Sequence, residues 1–182
     1  DGQKRLELQL NDKNIDKLHE FINDCGEKRQ IDFSIQQVQT PRDGGVSDRH
    51  DTQVQASIRI DMFARRLMCG DKEVSLSPQL FAWYVWMAKR CLHGQPDRRC
   101  VRWTDADIAD EFLREYRKVV GTMTHYYEKA VCLLAGGMTQ EFFQEKKARV
   151  NRKLLEALRG ASGPYLIKAT GRRPTQKFGL LI

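Results

Sequence analysis

The stretch TQEFFQEKKARVNRKLLEALRGASGPYLIKATGRRPTQKFGLLI, residues 139–182, decides how the rest of the chain is read. Thr139 is suited to cap a helix, and Glu141 places a carboxylate in its first turn, where the helix dipole favours negative charge. Phe143, Val150, Leu154 and Leu158 recur at helical spacing and mark the face that turns inward. Gly160 stops the helix, and Ala161-Ser162-Gly163-Pro164 forms a loose break. Two strand-like runs follow, Tyr165–Ile167 and Phe178–Ile182, joined through Gly171-Arg172-Arg173-Pro174. These residues hold ten Lys or Arg against three Glu, so the chain's whole net charge of +7 resides here.

Outward from this segment, composition sets the frame. A chain of 182 residues fits one compact domain with an appended element. A hydrophobic fraction of 41% suffices for a core, 30% charged residues fit a soluble protein, and an odd number of isolated cysteines suits a reducing cytoplasm. No apolar run approaches the ~20 residues of a membrane helix, and no signal-peptide pattern opens the chain. The chain begins at Asp1 rather than Met, which leaves an upstream domain open. The five cysteines are scattered without a Cys-x-x-Cys pair, and the four histidines lack metal-ligand spacing. No metal and no cofactor is therefore expected. The basic balance favours an acidic partner, of which nucleic acid is the commonest.

From the amino terminus, Leu6, Leu8 and Leu10 alternate as a strand, and Ile15, Leu18, Phe21 and Ile22 line a helix ending near Gly26. Ile31, Phe33 and Ile35 suggest a second strand, so residues 1–35 form a strand–helix element. Residues 36–53 concentrate Pro, Gly and charge and are expected to be a flexible linker. Residues 54–182 make up the main domain. Its first part, Val54–Leu76, reads as a small antiparallel sheet with a turn at Gly70-Asp71. Ser77-Pro78 opens a helix that is apolar nearly all round to Leu92, with Lys89 and Arg90 as its polar edge. It is read as the centre of the fold, with a homodimer contact through residues 78–92 as the alternative; Trp86 fits the core margin better than such a contact. Thr104 and Asp107 resemble a capping box before a second helix, and a third runs from about Thr122 to Ala135 with Met123, Tyr127, Ala130, Val131 and Leu134 on its inward stripe.

The fold class expected is α+β: a winged helix-turn-helix with an amino-terminal antiparallel hairpin, a recognition-type helix at 139–160 and a carboxy-terminal wing. In that helix Lys146, Arg149 and Lys153 fall to one side, and the wing adds Lys168, Arg172, Arg173 and Lys177. A helix in the major groove with a basic wing on flanking phosphates would use both sets together, with a DNA duplex favoured over RNA. Asn151 and Gln144 are the uncharged candidates for reading bases. The competing reading is a solvated basic face. For catalysis the signals are poor: no Gly-rich phosphate loop, nucleophile elbow or His-Glu-x-x-His occurs. Asp105, Asp107 and Asp110 suit a helix start better than a metal, and Arg117 and His125 are too far apart for an Arg-x4-6-His ribonuclease signature. The expectation is a chain without a chemical step of its own.

Two resemblances bear on this. The order of hairpin, Leu76-Ser77-Pro78 helix, second helix, basic helix and hairpin looks like the effector domain of response-regulator transcription factors; the extra helix at 122–135 departs from it. A closer resemblance is carried by Ile60-Asp61-Met62-Phe63-Ala64-Arg65-Arg66-Leu67-Met68-Cys69-Gly70 and by Leu76–Ala82, Phe112–Tyr116, Arg149–Leu154, Pro164–Ile167 and Gly171–Thr175. Over about residues 56–181 the chain resembles the carboxy-terminal region of a CRISPR-associated family of CARF-domain, ring-nuclease-like proteins. That resemblance implies an accessory role in type III CRISPR antiviral defence. Family relatives bind, and some cleave, cyclic oligoadenylate in an upstream CARF domain. Residues 1–53 are too short for that domain and lack its glycine loops, so its ligand and activity do not carry over. Three functions stay in view: a non-catalytic nucleic-acid-binding module, a protein–protein module, and a ribonuclease or ring-nuclease effector acting through a part outside this chain.

Overall fold

The computed structural model describes residues 30–35 (backbone only), 56–94, 98–172 and 175–180. The strand–helix expectations at 6–26, the linker at 36–53 and the residue Arg173 lie outside the described residues, save the strand at 30–35. The architecture is α+β. Four strands form an antiparallel meander in sequence order: β1 (Gln30–Ile35), β2 (Ala56–Asp61), β3 (Arg66–Cys69) and β4 (Lys72–Val74). Strand β1 pairs with β2 over its full length, from Gln30 opposite Asp61 to Ile35 opposite Ala56. The alternation in β2 puts Ala56, Ile58 and Ile60 inside and Ser57 and Arg59 outside, the signature of a sheet with one covered face. Gly70, at φ +58, makes the β3–β4 turn in a conformation that costs other residues strain.

Helix α1 (Pro78–His93) is the axis of the core. Leu80 through Ala88 and Cys91 are all buried, and Pro78 occupies the first turn, where its missing N–H costs nothing. Around it pack α2 (Ile108–Val120), α4 (Gln140–Leu158) and the last strand. Trp83 sits at the centre of an aromatic cluster, edge-on to Trp86, Phe112 and Phe143 at 5.0–5.2 Å between ring centroids. The core-margin reading of Trp86 fits this arrangement, and the alternative of a dimer contact through residues 78–92 gains no support: Trp86 is only 2% exposed, and its indole N–H donates to Glu111 at 3.0 Å. The helix has no apolar face left for a second copy.

Helix α2 starts at Ile108 without a side-chain cap hydrogen bond. The capping box expected at Thr104 and Asp107 does not form; Asp105 instead accepts from the Arg102 N–H at 2.8 Å. Helix α3 (His125–Leu134) is capped by Thr124, whose hydroxyl accepts from the Tyr127 N–H. Of the expected inward stripe, Ala130 and Leu134 are buried and Tyr127 is partly covered, whereas Met123 is 92% and Val131 38% exposed. A short helix at the periphery has one narrow contact line rather than a full stripe.

Helix α4 is capped by Thr139 through the Phe142 N–H, and Phe143, Val150, Leu154 and Leu158 are buried as their spacing requires. It ends at Leu158, two residues before Gly160, with Arg159 at φ +52. The break that follows is a 3-10 turn over Arg159–Tyr165, so Tyr165 closes that turn instead of opening a strand. Strands β5 (Ile167–Thr170) and β6 (Lys177–Leu180) then form the expected hairpin. Val101, in the α1–α2 connection, adds a bridge to Phe178 through two backbone hydrogen bonds of 2.7–2.8 Å. No helix among the described residues is long and apolar enough to cross a membrane.

Candidate nucleic-acid interface

Helix α4 and the β5–β6 hairpin are held as one unit by Asn151. Its side-chain Nδ2 donates to the Ile167 carbonyl and its Oδ1 accepts from the Ile167 N–H, both at 2.9 Å. The clasp spans sixteen residues and anchors the first residue of β5 to the middle of the helix. Asn151 therefore engages both ends of its amide within the chain, a structural task that its expected role as a base-reading residue did not include. The clasp takes one N–H and one oxygen lone pair of the amide and fixes the side chain toward the Ile167 backbone.

The cations of α4 divide by exposure. Lys146 is only 6% exposed, with its ammonium 4.7 Å from the centroid of the Phe142 ring and 3.4 Å from Glu145. It belongs to the helix's covered flank, so the expected grouping of Lys146 with Arg149 and Lys153 on one open face is corrected. Arg149 and Lys153 are exposed. Arg149 donates to Glu145 at 2.9 Å, and Lys153 donates to Glu156 at 2.9 Å with Arg152 nearby at 3.7 Å. The Arg149 hydrogen bond, aided by the Lys146 charge, holds the Glu145 carboxyl below the usual carboxylate range; Lys153 does the same for Glu156. Such surface pairs hold little stability, because water and salt screen them. Lys147 lies 4.4 Å from the Phe178 ring centroid, with its pKa pushed down by burial. Gln144 is half-buried.

On the hairpin, Lys168 and Lys177 are half-buried along the strands and Arg172 is exposed at the turn. Thr175 Oγ1 donates to the Arg172 carbonyl at 3.1 Å and closes the turn around it. Among the described residues, the open basic positions of the unit are thus Arg149, Arg152, Lys153, Arg159 and Arg172, with Lys168 half-buried on β5. Arg152 was not singled out from sequence. Its place directly opposite the Phe143–Val150–Leu154 stripe was the available signal.

Two recesses lie elsewhere. Between α2, α3 and α4 an open cavity of about 990 Å³ is lined by Tyr116, Val120, Tyr126, Ala130, Leu133 and Phe142, with Lys129 and Glu141 at its rim. Between the last turns of α1 and the facing side of α2 is a polar cleft of about 440 Å³. No group of three or more His, Cys, Asp or Glu able to hold a metal ion occurs among the described residues. No protein-family model, no curated protein and no solved structure matches this chain.

Proposed function

We propose that residues 56–180 form a winged helix that binds nucleic acid, with the hairpin as its principal phosphate contact and α4 lying along the groove. The observation that carries this reading is the unit of helix and hairpin joined by the Asn151 clasp, with Arg172 exposed at the hairpin turn. The bridge between Val101 and Phe178 supports it further: a third backbone segment stiffens the hairpin from behind. The open positions of the unit are Arg and Lys side chains, which favour contacts that hold the phosphate backbone over contacts that read sequence, so a duplex is bound with little base preference. Following the sequence resemblance, the setting is an accessory role in type III CRISPR defence, without catalysis by this chain.

Fluorescence anisotropy with a labelled DNA duplex and a labelled single-stranded RNA, at several salt concentrations, tests the binding. Counterion release gives a slope of log affinity on log salt of about −0.9 per phosphate neutralised. Replacing Lys168 and Arg172 by Ala flattens that slope by about two units and weakens all sequences alike. If the wild type binds neither nucleic acid at about 50 mM salt, where screening is weakest, the reading fails. The CRISPR setting is tested separately, by scoring type III immunity in cells that carry the same double variant.

A second reading, a protein–protein contact, has its own observation. Met123, Tyr126 and Leu133 are 92%, 74% and 57% exposed on or beside α3, next to the larger cavity. Light scattering at two concentrations, with Leu133→Glu as control, decides it for self-association: a mass that does not rise with concentration excludes a dimer through this face.

A further inference from the structure

We infer that the cleft between α1 and α2 is a phosphate-binding site, separate from the helix–hairpin unit, for a phosphoryl group carried by a nucleotide or a nucleic-acid backbone. The two helices meet here through polar faces: Trp86, Lys89, Arg90 and His93 on α1 oppose Glu111, Arg114, Glu115 and Lys118 on α2. Elsewhere the same pair of helices packs through Phe112, Trp83 and other apolar side chains. A cleft wall of charge in place of apolar contact needs a reason, because charges leaving water without full compensation cost stability.

The internal pairs account for only part of that charge. Glu111 is held by Arg90 and by the Trp86 indole. Glu115 is shared between Lys89 at 2.9 Å and Lys118 at 3.5 Å. Among the described residues, two carboxylates thus face five Lys and Arg side chains, since Arg98 and Arg114 also line the cleft. Arg98 and Arg114 are exposed at its mouth and make no ion pair among the described residues. The Arg90 Nε is buried without a hydrogen-bond partner, as is the Glu115 Oε2 beside Lys89, although the Nη2 of the same guanidinium donates to the Arg98 carbonyl at 2.7 Å. A recess with surplus guanidinium groups, one of them incompletely satisfied, suits an anion that accepts several charge-assisted hydrogen bonds at once. Phosphate has that geometry. A volume of about 440 Å³ leaves room for the sugar or base attached to it.

Residues 99–101, which follow Arg98, lie against β6. A Cβ placed at Gly179 would lie 3.1 Å from the Arg99 carbonyl, and Val101 bridges to Phe178. The arginine is therefore presented from a backbone clamped against β6.

Trp86 supplies a local reporter, because its indole N–H shares Glu111 with Arg90. Nitrogen-edited NMR spectra of the whole chain follow the indole signals of Trp83, Trp86 and Trp103 during titration with inorganic phosphate, with adenosine 5′-monophosphate and with a short DNA duplex, each at constant ionic strength. The expected result is a saturable shift confined to Trp86, weakened at least tenfold by the double substitution Arg98→Ala/Arg114→Ala, a change of ~1.4 kcal/mol or more. Both substituted side chains are exposed, so the fold is retained. A shift with phosphate or the mononucleotide assigns a free ligand; a shift with the duplex alone assigns a backbone phosphate. If none of the probes moves Trp86, or the double variant keeps wild-type affinity, the inference is overturned. It fails independently of the helix–hairpin reading: Arg172→Ala weakens the duplex and leaves the Trp86 response to mononucleotide unchanged. A duplex that binds while none of the three probes moves Trp86 upholds that reading and sinks this one.

Discussion

Replacing Asn151 by Ala tests the clasp between α4 and β5 most directly. It removes two hydrogen bonds of 2.9 Å and leaves the N–H and C=O of Ile167 without their side-chain partner; Ile167 is 2% exposed. Each lost bond is worth about 1 kcal/mol net, and a buried backbone group left unmet costs roughly 1–3 kcal/mol, so partial access of water leaves a loss of about 2–4 kcal/mol. For a domain of this size that lowers Tm by roughly 5–15 °C. Asn151→Asp separates the two bonds. Its carboxylate still accepts from the Ile167 N–H but faces the Ile167 carbonyl with no proton to donate. The folded state therefore favours the protonated acid and raises its pKa above the unfolded value of about 3.9. The sign follows: the variant approaches wild type below that value and loses stability as pH rises through the folded pKa. Thermal and urea unfolding at pH 4 and pH 7 measure both effects. An Asn151→Ala protein within ~0.5 kcal/mol of wild type, the range of ordinary surface changes, with an altered base preference would refute the clasp and restore Asn151 to the groove.

Further outcomes follow from packing and charge. Gly179→Ala is expected to destabilise by about 1–3 kcal/mol through overpacking, since its Cβ would come 2.8 Å from the Cys100 Sγ; Cys100→Ala relieves this only in part, because the Arg99 carbonyl stands at 3.1 Å. Thiol labelling near pH 8 should modify exposed Cys132 quickly and leave Cys69 untouched, since burial pushes the Cys69 pKa up to about 12 and only a thiolate attacks; rapid labelling of Cys69 in the folded protein would contradict that burial. Glu145→Gln should flatten the acid limb of the stability curve slightly. The folded pKa of Glu145 lies below its unfolded value, so its stabilisation is present above the unfolded pKa and lost as pH falls through the folded one. With its side chain 48% exposed, the change should stay below about 0.5 kcal/mol in urea melts.

The sequence announced most of the framework because local rules and tertiary packing agree there. Alternation in Ile58 and Ile60, the Gly70-Asp71 turn, the unbroken apolar helix after Pro78 and the Thr139 cap all survive in the structure. The misreadings share a cause, which is that a partner distant in sequence decides the outcome. The Asn151 clasp was not legible because Ile167 is brought beneath it only by the 3-10 turn. Lys146 lies at the margin of the apolar stripe, and Phe142 tips it inward. The α3 stripe has the right periodicity, but the groove beside α2 covers only part of it. The polar cleft at the end of α1 was visible as Lys89 and Arg90, though the glutamates facing them lie a helix away.

The long reach of the final strand has a consequence for synthesis on the ribosome. Phe178 pairs with Val101, and the Leu180 carbonyl accepts the Cys91 thiol across 89 residues. The central helix thus leaves the exit tunnel well before the strand that seals it. Chains are extended at roughly 5–20 residues per second, so its apolar sides stay uncovered for about 5–20 seconds of translation. A nascent chain stalled near residue 160 should bind chaperones and yield to protease, and the same chain lengthened past residue 180 should resist both.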